Sequence, residues 1–298
     1  MCDDITEREL DAYLKKKAFT RRGFNKGVSA TVLASGLSTT AFGMPMKDGK
    51  PLTEADVLIP TPEGMVDGKV IHPVEGAHAA VIFWPDIHGV RPAYFEMARN
   101  LARAGYAVIA ANPYYRTHQG RLFADGQTFR DEGGRELVMP HYQALSVDGV
   151  GVDTKAIVSW LDQQDPVDTD RGVGAVGFCM TGSWTLRAAA AVPSRVKAPV
   201  SFHGGGLVSD AETSPHLLAG QIQGGVLIAI AENDHERQPE AEGVLIEAFE
   251  TAGVPAEIEV YDDAMHGWVP TDGRAHHPEQ SERAWGRMLA LFEAQLSG

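Results

Sequence analysis

One cysteine stands where a strand should run into a helix. The stretch "AVGFCMTGSW", residues 175–184, places Cys179 after a run of small and β-branched apolar residues and just before a Gly-Ser-Trp helix start. A thiol at such a point is either a small core hydrophobe or a nucleophile. The nucleophilic reading has a physical basis. A side chain on a tight strand-to-helix turn projects above the sheet, and the backbone N–H of the next residue, Met180, points where an oxyanion would form. The helix terminus also favours thiolate over thiol. Downstream, "VLIAIA" is followed by Glu232-Asn233-Asp234, and "YDDAMHGW" carries His266. Nucleophile, acid and histidine thus occur in an order known from catalytic triads. His266 could take the thiol proton, and Asp234 could orient its ring, with Glu232 and His235 close by as rivals.

Those residues need a scaffold, and the hydrophobic pattern supplies one. "ADVLIP" and "GKVIHP" read as an early hairpin, "AAVIFWP" (79–85) as a buried strand, and "PAYFEMARNLARAGY" as a helix ended by Gly105. "AVIAANP" is a second buried strand that stops at Pro113. A long polar region, 116–140, follows and reads as a loop or lid. Then come a helix around 147–164, the strand "VGAVGF", a helix from Met180 to Ala191, the strands "APVSFHG" and "GGVLIAIA", a helix over 239–252, the strand "AEIEVY" and a helix from about Pro278 to Leu296. Uniformly apolar strands alternating with amphipathic helices predict a mostly parallel sheet covered on both faces, in a single α/β domain spanning 44–298. In such sheets reactive groups gather at the carboxyl ends of strands, where Asp86-Ile87-His88-Gly89, Asn112 to Arg116, Cys179 and Glu232 to Asp234 all fall.

The motifs "FWPDIHGVRPAYFEMARNLARAGYAVIAANPYYR", "VGFCMTGSWTLRAAA", "IAIAENDH" and "AMHGW" together resemble the dienelactone hydrolase (carboxymethylenebutenolidase) family, α/β-hydrolases with a cysteine nucleophile. The resemblance covers about 55–296. It implies Cys179 as nucleophile, Asp234 as triad acid, His266 as base, and the N–H groups of Ile87 and Met180 as an oxyanion hole. It further implies that Asp86 stands for a glutamate that interacts with the resting thiol, and Arg116 for an arginine that binds a substrate carboxylate. Three positions depart from the family pattern: Thr181 replaces the first of two glycines, Asp86 is one methylene short, and Pro270 stands where a second carboxylate-binding arginine is usual.

Composition narrows the partners. A formal net charge of −14 over 298 residues argues against nucleic acid, which needs a surplus of Lys and Arg. In the first 43 residues, by contrast, basic residues outnumber acidic ones, and "TRRGFNK" (Thr20 to Lys26) resembles a twin-arginine export signal. The small-residue run after it, with Ala41-Phe42-Gly43 as a cleavage site, is too short and polar for a transmembrane helix. The expectation is a leader over 1–43 and a periplasmic protein without a membrane span. The alternative is an amphipathic N-terminal helix of a folded, cytoplasmic protein. Cys2 lies in that leader, so Cys179 has no disulfide or redox partner in the mature chain.

No metal is expected, because His276-His277 is an adjacent pair without further ligands at suitable spacing, and no cofactor is expected. The Gly204–Gly206 run follows a strand but lacks the spacing of a dinucleotide loop, and reads as a tight turn beside the site. The favoured function is hydrolysis of a small-molecule lactone or ester through a Cys179 thioester. The alternatives are a general carboxylesterase and a non-catalytic small-molecule-binding protein on a hydrolase scaffold.

Overall fold

A computed structural model describes residue 6 and residues 8–16 and 50–297. Residues 8–16 form a helix, α1. The remaining elements are β1 (Leu52–Thr61), β2 (Gly64–Pro73), β3 (Ala80–Trp84), α2 (Pro92–Arg103), β4 (Ala107–Ala111), α3 (Gly134–Gln143), α4 (Val147–Leu161), β5 (Val173–Phe178), α5 (Gly182–Ala191), β6 (Val196–Phe202), β7 (Val226–Ala231), α6 (Glu232–Arg237), α7 (Glu240–Ala252), β8 (Ala256–Tyr261) and α8 (Pro278–Gln295). The eight strands make one sheet in the order β1-β2-β4-β3-β5-β6-β7-β8. The β1–β2 hairpin and the β2–β4 pair are antiparallel, and every pair from β4 to β8 is parallel.

The central strands are buried from end to end because both faces are covered. Along β3, Val81 and Phe83 join a cluster with Tyr94 and Met97 of α2 and Trp285 and Met288 of α8. Their neighbours Ala80, Ile82 and Trp84 point the other way, to Ile157 of α4, Leu186 of α5 and Phe249 of α7. A period of two on a strand thus feeds two separate cores. Helix signals in the sequence do their expected work. Pro92 opens α2, Ser146 caps α4 by accepting from the Gly149 N–H at 3.0 Å, and Gly253 closes α7 in the left-handed conformation at φ 67°.

Beneath the C-terminal ends of β3 and β5, Phe83, Tyr94, Phe178 and Phe202 interlock, with ring centroids 5.0–5.9 Å apart. Such pairs contribute about 0.5–1.5 kcal/mol each beyond their buried area, so the platform that carries Cys179 is stiff. Above it, the region expected as a loop over 116–140 contains a helix instead in its last part, α3, which continues to Gln143. Its weak apolar pattern and the internal Pro140 concealed that helix. Leu122, Phe123, Phe129 and Val138 pack down on Ile87, Met180 and Cys179, so the segment is a roof on the site.

The helix α1 docks at one side of the same face. Leu10 is buried, Glu9 accepts from Arg237 and from Asn233 Nδ2 (2.8 Å), and the Tyr13 hydroxyl donates to the Asp263 carbonyl. The twin-arginine stretch Thr20–Lys26 and the cleavage site at Ala41–Gly43 lie outside the described residues. No described helix is long and apolar enough to cross a membrane.

Candidate active site

Cys179 sits directly after β5 with φ 54°, a left-handed backbone that a non-glycine residue adopts only when its surroundings impose it. The surroundings here are crowded backbone. A Cβ on Gly177 would meet the Thr181 carbonyl oxygen at 2.1 Å, and one on Gly182 would meet Gly204 Cα at 2.5 Å. Glycine is therefore required on both sides of the turn. The Gly204–Gly206 turn lies against the elbow as expected, and the Gly205 N–H donates to the Cys179 carbonyl at 3.0 Å.

Thr181, the departure from the family pattern, has a use. Its hydroxyl accepts from the Phe178 N–H at 2.9 Å and lies 2.9 Å from the Pro85 carbonyl, to which it can donate. Its backbone is ordinary right-handed helix, φ −88°, which a β-branched residue adopts without strain. The side chain thus ties the elbow to the loop after β3, a bond that glycine could not make.

That loop carries Ile87. Tyr114, at the end of β4, donates its hydroxyl to the Ile87 carbonyl at 2.8 Å and lies 3.3 Å from the Met180 sulfur. One buried phenol therefore holds together the two residues whose N–H groups the sequence nominated for an oxyanion.

Asp234 lies in the first turn of α6, after β7, and His266 follows β8. The His266 Nδ1 donates to Asp234 Oδ2 at 2.6 Å, and the His266 backbone N–H donates to Asn233 Oδ1 at 2.8 Å. Burial disfavours the imidazolium. The Asp234 carboxylate, with Cys179 on the ring's other side, outweighs that penalty and pushes the His266 pKa up to about 10. Burial likewise works against the Asp234 carboxylate, and His266 holds its pKa below the usual range. The rivals face elsewhere: Glu232 accepts from the Asp263 N–H, and His235 Nδ1 lies 3.6 Å from Glu242.

The structure gives the other two nominated residues different surroundings. Asp86 lines the cavity with Cys179 and is also clamped by an arginine. Its two oxygens take Arg91 N–H groups at 2.7 and 3.0 Å, and the His88 backbone N–H adds a third bond at 2.9 Å. Burial opposes its charge, but Arg91 and His88 hold its pKa well below the usual range. Arg116 is not at the cavity at all. Asp153 grips it bidentately at 2.9 and 2.7 Å, Glu63 takes its Nε at 2.6 Å, and its guanidinium lies over the Tyr115 ring. An arginine with two carboxylates and an aromatic face is structural, because receiving a substrate carboxylate would require breaking those pairs.

A cavity of about 600 Å³ brings Cys179, His266, His203 and Asp86 to one surface. Its outer wall carries Arg121, Arg130 and Arg274 beside Asp125, Asp131 and Asp272. Among the described residues no cluster of His, Cys, Asp and Glu has the arrangement of a metal site. His277 caps α8 by accepting from the Gln280 N–H, and His276 Nδ1 lies 3.2 Å from the Trp268 carbonyl, so that pair serves the fold. Sequence reasoning placed Asn233 and Tyr114 at strand ends without giving them roles, and passed over Arg91 and His203. The last ends a strand in "SFHGGG", and the strand-end rule that found Cys179 applies to it equally.

A strained strand-to-helix elbow, an acid after β7 and a histidine after β8 on a mostly parallel eight-stranded sheet have the layout of an α/β-hydrolase. The family model for the dienelactone hydrolase family matches residues 66–296, and the chain belongs to that family, whose members are hydrolases of ester or lactone bonds. A carboxymethylenebutenolidase of Rhodococcus opacus is 27% identical over 231 residues, spanning 74% of this chain and 83% of the relative. Among solved structures, a dienelactone hydrolase-like promiscuous phosphotriesterase from metagenomic libraries superposes with a TM-score of 0.64 at 24% identity, covering 83% of this chain and 99% of the other. Pyrococcus horikoshii acylaminoacyl peptidase gives 0.61 at 14% identity, with 84% of this chain on 43% of the larger protein. Identities this low show a shared fold, and they leave the substrate to the site.

Proposed function

We propose that the protein hydrolyses a lactone or small carboxylic ester through Cys179, by way of a thioester. The observation that carries this reading is the left-handed Cys179 at the tip of its elbow, in one cavity with a His266 ring bonded to Asp234 at 2.6 Å. His266, with its raised pKa, holds the proton that leaves Cys179, and the sulfur attacks the carbonyl carbon as thiolate. The tetrahedral oxyanion is received by the N–H groups of Ile87 and Met180, and such donors are worth about 2.7–4 kcal/mol each elsewhere. The C–O bond then breaks, His266 protonates the leaving oxygen, and water attacks the thioester with the same histidine as base. Thiolate leaves more readily than alkoxide, so substrates with good leaving groups, such as enol lactones, suit this site best.

Arg116 is engaged with Asp153 and Glu63 away from the cavity, and Arg121 on the cavity's outer wall is paired with Asp125. A panel of lactones and p-nitrophenyl esters, run on the wild type and on Cys179→Ala, tests the reading. Turnover of at least one enol lactone or aryl ester that vanishes in the variant is expected, and turnover that survives would refute it. Export through the twin-arginine route remains part of the proposal, supported by Thr20–Lys26. Arg21→Lys with Arg22→Lys should leave the protein in the cytoplasm, and a wild type found only there, uncleaved, would end that part.

A further inference from the structure

The scheme above makes no use of the histidine that faces the triad base. His203 follows β6, is 1% exposed, and lines the cavity with Cys179 and His266. Its ring meets that of His266 nearly edge-on, centroids 5.0 Å apart, and Phe178 and Trp268 pack against it at 6.1 and 6.3 Å. Its backbone is left-handed, φ 40°, fixed by an N–H bond to the Ala229 carbonyl at 2.8 Å. Neither ring nitrogen has a partner among the described residues. A strained backbone and two unsatisfied buried nitrogens each cost free energy that a phenylalanine at this position would not incur on the nitrogen side. Packing therefore does not explain the imidazole, and a polar group arriving in the cavity does.

We propose that His203 holds the oxygen that departs from and enters at the acyl carbon, namely the leaving-group oxygen during acylation and the hydrolytic water during deacylation. The inference rests on the thioester reading above. Both oxygens exchange a proton with His266, so both must occupy the space beside that ring, and His203 is the polar side chain flanking it. A neutral imidazole carries one donor and one acceptor, which suits a water that must be bonded at two points while its lone pair faces carbon. Burial, and the positive His266 beside it, hold the His203 pKa down to about 4, so the ring stays neutral at ordinary pH. In deacylation the water oxygen bonds to the thioester carbon as one of its protons passes to His266. The C–S bond then breaks, the acid product leaves, and the proton stays on His266 beside the regenerated Cys179 thiolate.

The test is pre-steady-state hydrolysis of p-nitrophenyl acetate by wild type, Cys179→Ala and His203→Phe, with intact-mass detection of the acyl-enzyme. p-Nitrophenolate departs without a proton, so His203→Phe should keep its burst. Its steady-state rate should fall about tenfold to a hundredfold while the acetyl adduct accumulates. Steady-state turnover within twofold of wild type, without adduct, would overturn the proposal. Should the phenylalanine variant fail to fold, His203→Asn against His203→Leu asks the same question with side chains of similar size. The asparagine variant should turn over several times faster, and equal rates would overturn the proposal. Cys179-dependent turnover that ignores His203 defeats this inference alone, whereas activity that survives Cys179→Ala defeats the thioester reading and His203 with it.

Discussion

Two carboxylates serve the site, Asp86 on the cavity wall with the thiol and Asp234 bonded to His266, and their partners give them opposite capacities. Asp234 bonds an imidazole, which can take up and release a proton; Asp86 is clamped by a guanidinium, which cannot. Arg91 then reaches on to Asp272 at 2.7 and 3.1 Å and lies over the Tyr94 ring at 4.4 Å. Both carboxylates are held below the usual range against the penalty of burial. The same two ingredients, desolvation and an opposite charge, support a titratable partner in one case and a permanently charged brace in the other. Which of the two a carboxylate becomes depends on whether its partner titrates.

Replacing each acid with its amide probes the contrast most strongly. Asp234→Asn should lower kcat/KM roughly 10³–10⁴-fold with little change in melting temperature, because the amide no longer fixes the reactive tautomer of His266. Asp86→Asn should cost less than about tenfold in the same ester assay, since no proton passes through it. Equal losses would erase the distinction drawn here.

Arg91→Met probes the brace itself. It leaves the Asp86 charge buried without its main partner, which should destabilise the fold by about 3–5 kcal/mol in urea denaturation. A loss under 1 kcal/mol would show that His88 alone suffices.

The pH dependence of stability separates the two pairs more gently. His266 has its folded pKa raised from 6.5 to about 10, so its contribution is complete below 6.5 and is lost as pH rises through about 10. Melting temperature should therefore decline across that alkaline window in the wild type and in Arg91→Met, and the decline should flatten in His266→Gln. A slope unchanged by the His266 substitution would place the titration elsewhere.

Arg116→Ala should have the smallest effect on turnover, less than about threefold in kcat/KM and the same for carboxylated and neutral esters. A loss confined to carboxylated substrates would return Arg116 to substrate binding.

The sequence disclosed what depends on local pattern. Apolar strand runs, the hairpin, Gly105 at the end of α2 and the elbow glycines each follow from a few neighbouring residues, and the strand-end rule then brought Cys179, Asp234 and His266 to one face. Pairings between distant residues were not legible. Nothing around Arg116 announces that Asp153, 37 residues on, takes both of its terminal nitrogens. A resemblance therefore carried the arginine's position without its surroundings. The Asp86–Arg91 clamp lies within one loop, but a spacing of five residues in a turn has no fixed geometry, unlike four in a helix. Thr181 looked like a flaw in the elbow until its hydroxyl was placed between Phe178 and Pro85.

The central claim is that Cys179 forms a bond to the acyl group. Rapid quenching of the protein with an activated aryl ester, followed by mass analysis of the peptide holding Cys179, measures it directly. The account predicts an acyl adduct on that cysteine, labile to hydroxylamine, forming at the rate of the product burst and absent from Cys179→Ala. Steady turnover with no adduct at any time point, or an adduct on another residue, would contradict it.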